Sequence, residues 1–360
     1  MSLFKSRRYR SDAGTYGQTA STVTLASAIL MLLVAPARAQ DLITNEELVL
    51  RMGDVSANKF PFILAYDEGL YEKYGIKVTP KFSPGSVSTI NRSGVEVAPE
   101  HIYDPDGDDP FTIAVSGTGP TIVRITTRAG HAPGPLVLAS THTVSRWRIM
   151  TGPEITSPEQ LKGKRLGYSG FGAVSHNQWL QFIEHMGWTQ NDVALMSGGL
   201  GVDALMNGHV DAMMGPELHA TMAVMNDFYP SIDLADYKFP TAGSGWVVDR
   251  EWYKSNFQAA RAFVQSGIEA IAIMKQDRAK AERTMIKWYG MKDAEARHLF
   301  YIELLKMVEK PYPPYEGIKM LMRLYDGVEM RKYTPEFFYD DTIVRELDES
   351  GFIDSLYTDR

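Results

Sequence analysis

Cysteine is absent from all 360 residues, and that one absence removes several chemistries. It excludes a disulfide staple, a thiolate metal site, a cysteine nucleophile and a lipid-bearing cysteine at a processed N-terminus. The HExxH, GxSxG and phosphate-loop patterns are missing as well, so protease, serine hydrolase and nucleotide hydrolase readings have no motif to stand on. No fixed-period repeat or long low-complexity tract occurs, and beyond Ala39 no apolar run reaches membrane-spanning length. Clustered Lys and Arg are lacking there too, which removes the phosphate-neutralising face that nucleic-acid binding requires.

What is present begins with an address. Lys5, Arg7, Arg8 and Arg10 precede an apolar run from Val23 to Ala35, and Ala37-Arg38-Ala39 fits the small-residue cleavage pattern of a secretory signal. The run is short for a bilayer span, so cleavage near Ala39 and release into a periplasm are expected rather than an uncleaved anchor. Ser6-Arg7-Arg8 opens like a twin-arginine signal but Tyr9-Arg10-Ser11 does not continue it, so the export route stays open. Cutting away residues 1–39 removes five basic residues and one acidic residue. The remainder has 32 against 43, a formal charge of −11 where the full chain has −7.

The full sequence is 44% apolar and long enough for about two domains. Leu48 to Met52 reads as a strand, Gly53 to Ser56 as a turn, and Asn58 to Tyr74 as a helix ended by Gly75. Ile76 to Phe82 reads as the next strand. Strand, helix, strand in about 35 residues is a βαβ unit, which implies a parallel sheet covered by helices. Further strands are expected at Thr112 to Ser116, Arg165 to Tyr168, Val193 to Met196 and Asp211 to Met214. Helices dominate from about Asn256 to Met330. The expected architecture is therefore α/β with two lobes: 40–140 with 246–360 as lobe one, 141–245 inserted as lobe two, and the C-terminal helices packed back on lobe one. Open parallel sheets bind ligands at the carboxyl ends of their strands, so the cleft between facing lobes is the candidate site.

Three segments carry a family resemblance. Phe60-Pro61-Phe62-Ile63-Leu64-Ala65-Tyr66-Asp67-Glu68-Gly69-Leu70-Tyr71-Glu72-Lys73-Tyr74-Gly75-Ile76-Lys77-Val78 resembles the opening signature of periplasmic substrate-binding proteins of nitrate, sulfonate, taurine and thiamine-precursor ABC transporters. Ser157 to Gly167 resembles the start of that family's second lobe, and Ala204 to Ala212 its later helix and strand. The resemblance implies the type 2 periplasmic binding protein fold with hinge closure, a small-molecule ligand and an ABC transporter permease as partner. A monomer needing no cofactor is expected, with no catalytic residue and no metal. The chain departs from the family between Asn91 and Pro110, where Pro99, Pro105, Gly107 and Pro110 argue for a loop. Asp104, Asp106, Asp108 and Asp109 crowd there, but a calcium loop would need Glu where Val115 stands, so a solvated loop is expected.

The candidate ligand contacts lie on turns at strand ends. Ser169, Gly170, Phe171, Gly172, Ala173, Ser175 and His176 follow a strand and open a helix, whose free amides and positive end suit an anionic or polar group. The alternative is a tight turn with Ser175 as a cap. Ser86 and Thr118, on comparable turns of lobe one, offer hydroxyl donors or simple caps. Asn58 comes from the first strand-to-helix turn. Glu217 offers a carboxylate for an amine or amino-heterocycle, or acts as a first-turn helix acid. Trp246 covers a planar ligand at the hinge or fills the core. The ligand expected is a planar organic acid, a sulfonate or a pyrimidine-like molecule. Two other functions fit the same lobes. A cofactor-free enzyme would resemble chorismate-processing proteins or the yeast-type pyrimidine synthase, whose cysteine-rich motif this chain lacks. A ligand-sensing adaptor for a membrane receptor is the other.

Overall fold

The computed structural model describes residues 47–103, 113–127, 134–199 and 201–358. The export signal expected at 1–39 and the acidic loop residues Asp104, Asp106, Asp108 and Asp109 lie outside the described residues. Ten strands run in chain order: β1 Glu47–Met52, β2 Lys77–Phe82, β3 Ile113–Ser116, β4 Pro135–Ser140, β5 Arg148–Thr151, β6 Arg165–Tyr168, β7 Ala194–Ser197, β8 Ala212–Gly215, β9 Tyr229–Asp233 and β10 Gly245–Asp249. They form two five-stranded sheets, β2-β1-β3-β10-β4 and β7-β6-β8-β5-β9.

The two sheets share one plan. Each has three parallel strands, β2-β1-β3 or β7-β6-β8, and then an antiparallel strand, β10 or β5, paired to an edge strand. β10 returns to sheet one after the chain has built all of sheet two, so both lobes are closed by strands that have crossed between them. The crossing segments, 141–147 and 234–244, are zipped together. Ser145 donates its N–H to Phe239 O at 2.8 Å, Thr241 N–H to Thr143 O at 3.0 Å, and His142 N–H to Ser244 Oγ at 3.1 Å. Among the described residues no helix is long and apolar enough to cross a membrane.

The strands expected from sequence are found within about a residue at each end, but β4, β5, β9 and β10 were not singled out. They are short strands whose partners lie far away in sequence, and no local period marks them. The helix expected over Asn58 to Tyr74 is broken. It is a short turn Ala57–Lys59, a helix Phe60–Asp67 and a second helix Leu70–Lys73, with Gly69 at φ 66 between the two helices. Only a residue without Cβ adopts that left-handed conformation cheaply, so Gly69 sets the break. Gly75, at φ 77, ends the segment where a cap was expected.

Both faces of each sheet are buried, as parallel sheets require. In sheet two the period of the strand sends Ile149, Ala212 and Met214 into one core with Trp179 and Phe182. The alternate Met150 and Met213 enter a second core with Val202, Leu205 and Ala223. Lobe one has a larger core, covered by the helices Phe60–Asp67, Phe257–Gln276, Arg278–Tyr289, Ala294–Leu305 and Thr342–Glu349. The helix Phe257–Gln276 buries Phe263, Val264, Ile268, Ile271 and Met274 at helical spacing. Its Gly267 sits where a Cβ would lie 2.8 Å from the Trp246 ring, so the glycine lets the helix seat on that indole.

Trp246 is therefore a core residue and does not face a ligand. It is fully buried, 4.8 Å from the Phe62 ring in an edge-to-face pair, and beside Phe263. Of the two readings open for Trp246, its burial fits the core one, because β10 is a central strand. Its side chain packs under the helices, where apolar area is removed from water most completely.

Candidate functional site

The strand-end turns of both sheets enclose a cavity of about 560 Å³. Lobe one contributes Gly53 to Lys59 after β1, Gly85 and Ser86 after β2, and Gly117 and Pro120 after β3. Lobe two contributes Ser169, Ala173, Val174 and Gln178 after β6, Gly201 to Asp203, and Pro216, Glu217 and His219 after β8. The crossing segments supply His142, Ser145, Arg146, Thr241 and Ser244, and Glu303 reaches in from the helix Ala294–Leu305. These turns meet because parallel strands in each sheet end on the same side and the two sheets face one another at those ends.

Of the residues expected at the site, Asn58, Ser86, Ser169, Ala173 and Glu217 line this cavity. The others sit elsewhere, for physical reasons. Thr118 is buried beneath it, its N–H donating to Ala242 O at 2.8 Å and its hydroxyl without a partner among the described residues. Ser175 is buried, 3.1 Å from the Ser169 N–H and from the Ser169 hydroxyl, so it locks the turn. Gly170 does not line the cavity and accepts the Ala173 N–H at 3.1 Å. Gly172, at φ 76, lies where a Cβ would meet Val123 of lobe one at 2.9 Å, so it permits close approach of the lobes. His176 is buried, stacked 4.6 Å from Tyr168, with Nδ1 2.6 Å from the Tyr325 hydroxyl. Phe171 is 59% exposed and rests against His176 and Tyr325. The segment 169–176 thus divides, with Ser169, Ala173 and Val174 lining the cavity and Phe171 and His176 joined to Tyr325 of the C-terminal region.

Charge is arranged differently on the two walls. On lobe one, Asp54 Oδ2 lies 2.9 Å from the Lys59 ammonium, and Asp54 Oδ1 accepts from the Ser56 N–H at 2.9 Å and from the Ser56 hydroxyl. Burial opposes charge on Asp54, but the Lys59 cation and the Ser56 bonds outweigh it and hold its pKa below the ordinary value. Lys59 itself is fully buried. On lobe two, the helix Val174–His185 begins at Ala173 with no side-chain cap, and Ala173 and Val174 at its start line the cavity. Arg146 Nε is buried without a hydrogen-bond partner among the described residues. Burial lowers the Arg146 pKa, opposed by Glu303 and Asp233. His142 is pushed down to about 3, first by burial and then by Arg146, Lys59 and Lys306, so it is a neutral imidazole at neutral pH.

The cavity therefore offers the start of an uncapped helix, two cations and the imidazoles of His142 and His219 beside Asp54, Asp203, Glu217 and Glu303. Such a set orients a small molecule with both acceptor and donor groups. Among the described residues no three His, Cys, Asp or Glu side chains gather as a metal site. The sequence reading missed Lys59, His142, Arg146, Gln178 and Glu303. Lys59 lies one residue from Asn58 and was readable as part of the same turn. Glu303 had no signal, because only the packing of the C-terminal helices brings it here.

Two sheets with crossed closing strands and a cavity at their facing ends are the two-lobed α/β fold of periplasmic binding proteins. A family model described as NMT1/THI5 like matches residues 126–281. The periplasmic aliphatic sulphonate-binding protein SsuA of Escherichia coli is similar in structure at 16% identity and a TM-score of 0.56. The match covers 84% of this chain and 97% of that one. The periplasmic nitrate-binding protein NrtA of Synechocystis PCC 6803 matches at 13% identity and a TM-score of 0.61, over 84% of this chain and 88% of its own. The desulfurization enzyme DSZB shares the fold too, at 14% identity and a TM-score of 0.56, over 84% and 98% of the two chains. No curated protein matches in sequence. The α/β fold expected from sequence is found, and the resemblance that predicted it is met by the family model and by these structures.

Proposed function

We propose that this chain is an exported solute-binding protein that captures a small organic molecule between its lobes and presents it to an ABC transporter permease. Residues 1–39 act as the cleaved signal, 40–140 with 246–360 form lobe one, and 141–245 form lobe two in the periplasm. The observation that carries the reading is the cavity itself, which is walled by turns of both lobes and spanned by the two crossing segments. In that arrangement hinge rotation buries a ligand and expels water. Asn58, Lys59 and Ser86 contact the ligand from lobe one, and Ser169, Ala173 and Gln178 from lobe two. The ligand class is a planar organic acid, a sulfonate or a pyrimidine-like molecule, the uncapped amides taking its acceptor group.

A thermal-shift screen of sulfonates, organic acids and pyrimidines on residues 40–360 tests this. A true ligand at 100 times its Kd adds about 2.7 kcal/mol of stability, a rise of several degrees in Tm. The reading fails if nothing in the screen stabilises the protein while a chorismate-like substrate is turned over. The enzyme alternative rests on the fold shared with DSZB. A structure of that enzyme holding biphenyl-2-sulfinic acid is of a cysteine-to-serine variant, and this chain has no cysteine to offer. Capture is favoured over catalysis on that ground.

A further inference from the structure

Polar links join the lobes at several places, His176 and Asn177 to Tyr325 and Glu184 to Arg323 among them, and two more lie beside the cavity, both made by the protein's own groups. Glu217 opens the helix Glu217–Val224 in lobe two, and its Oε1 accepts the backbone N–H of Ala57 in lobe one at 2.7 Å. Ala57 begins the turn that runs into the helix Phe60–Asp67, and its preceding residue Ser56 gives no side-chain cap. The Ala57 amide is thus a first-turn donor that needs a partner from outside its own segment. The second link joins Arg148 of β5 to Glu303, Nη2 to Oε1 at 3.1 Å, with Arg148 Nε held to Asp233 at 3.4 Å.

We propose that Glu217 is the latch of the cleft: its carboxylate takes the Ala57 amide across the gap, holds the lobes together, and yields that amide to a ligand bearing its own anionic group. The latch stands on the contact alone, and the displacement step rests on the capture reading above. The surroundings make the latch releasable. Glu217 faces Asp54 and Glu303, with Lys59 bound to Asp54, Arg148 bound to Glu303, the Tyr289 hydroxyl nearby and His219 on its own helix. Burial raises the Glu217 pKa, backbone N–H bonds oppose that, and the charges of Glu303 and Asp54 add to the rise. An ionised carboxylate here is held by backbone N–H bonds, that of Ala57 among them, against desolvation and two like charges, and an anion that takes the Ala57 amide removes one of those bonds.

The chain's lack of cysteine permits a clean test with paired spin labels. Met225→Cys in lobe two and Leu299→Cys on the helix Ala294–Leu305 lie at positions 79% and 53% exposed. In the doubly labelled protein with no ligand added, Glu217→Ala shifts the open-to-closed ratio roughly tenfold or more toward longer distances, the strength of one charge-assisted bond. Ala57→Pro removes the same bond from the other wall. Proline is tolerated at the first position of a helical turn, so the variant folds. It gives the same shift, and the double variant adds nothing beyond either. An unchanged distance distribution in both single variants, with circular dichroism showing each folded, overturns the latch. Titration with ethanesulfonate then tests displacement. It binds Glu217→Ala roughly tenfold tighter than the parent if Glu217 competes for the amide. Equal affinity overturns the displacement step, and no binding to either protein counts against the capture reading while the label distances still decide the latch.

Discussion

The two walls of the cleft treat their polar groups in opposite ways. On lobe one, Asp54, Ser56, Asn58 and Lys59 bond to one another, with Ser56 Oγ donating to Asn58 Oδ1 at 2.6 Å, and the wall rests on the larger core. On lobe two, Glu217 reaches across the gap, Arg146 Nε has no partner among the described residues, and the helix Val174–His185 starts uncapped. The side chains of one wall are paired within it, with only the Ala57 amide left to Glu217, and those of the other reach outside it. On the capture reading proposed above, this division is economical: a preorganised wall lowers the ordering entropy of binding, and an incomplete one makes closure depend on what enters.

Trp246 gives the largest way to break that comparison. It is fully buried beneath lobe one against Phe62 and Phe263, so Trp246→Ala loses about 4 kcal/mol of unfolding free energy, as large aromatic truncations do. Urea unfolding measures it, and a loss under 1 kcal/mol means the wall does not rest on this core. Asp54→Ala comes next. It leaves the buried Lys59 ammonium without its carboxylate, which destabilises the protein by about 3 kcal/mol. The same truncation on the other wall, Glu217→Ala, leaves no buried cation behind and lowers stability by about 1.5 kcal/mol, the strength of one charge-assisted bond. Equal losses at Asp54 and Glu217 would remove the distinction between the walls.

How far the sequence revealed this depends on whether a signal is local. The βαβ unit from Glu47 to Phe82 was legible because its strand, turn, helix and strand follow one another in periodic order. Asn58, Ser86, Ser169, Ala173 and Glu217 were legible because each sits at the end of a strand in that order. Trp246 was not legible as a core residue because β10 crosses from one sheet to the other, and whether it is a central strand is decided by distant pairing with β3 and β4. His176 and Phe171 were misplaced because their partner Tyr325 lies about 150 residues away. Glu303 carries no local mark at all and becomes part of the cleft only by helix packing.

The seam between the walls is sensitive to acid. His142 has a pKa pushed down to about 3 by burial and by Arg146, Lys59 and Lys306, against an ordinary 6.5. The unfolded chain therefore binds a proton below about pH 6.5 that the folded chain refuses, so stability falls as pH drops from 6.5 toward 3. His176 and His219 are lowered by burial and act in the same direction. Glu217, with its raised pKa, opposes them, since its contribution is lost as pH rises. Carboxylates with lowered pKa, such as Asp54, begin to act only near and below their ordinary 3.8 to 4.5. Between pH 6.5 and 5 the imidazoles dominate, and His142→Gln flattens the decline of Tm measured across that interval. An unaltered slope places the acid sensitivity elsewhere.

The smallest expected effect sharpens where the lobe-two wall ends. Phe171 belongs to the same turn as Ser169 and Ala173, yet its ring is 59% exposed and leans on His176 and Tyr325, away from the cavity. An exposed ring with two lateral contacts contributes little, so Phe171→Ala changes unfolding free energy by under about 1 kcal/mol. It leaves the Kd of any ligand found in the thermal-shift screen within about twofold, because a residue outside the cavity offers it no apolar area. Ser169→Ala, two residues earlier, removes a hydroxyl that faces the cavity and weakens a hydrogen-bonding ligand by roughly fivefold to tenfold. Calorimetric titration of the two variants side by side reads the boundary directly. If Phe171→Ala weakens binding as much as Ser169→Ala, the turn closes over the ligand as one piece, and the lobe-two wall extends to the Tyr325 contact.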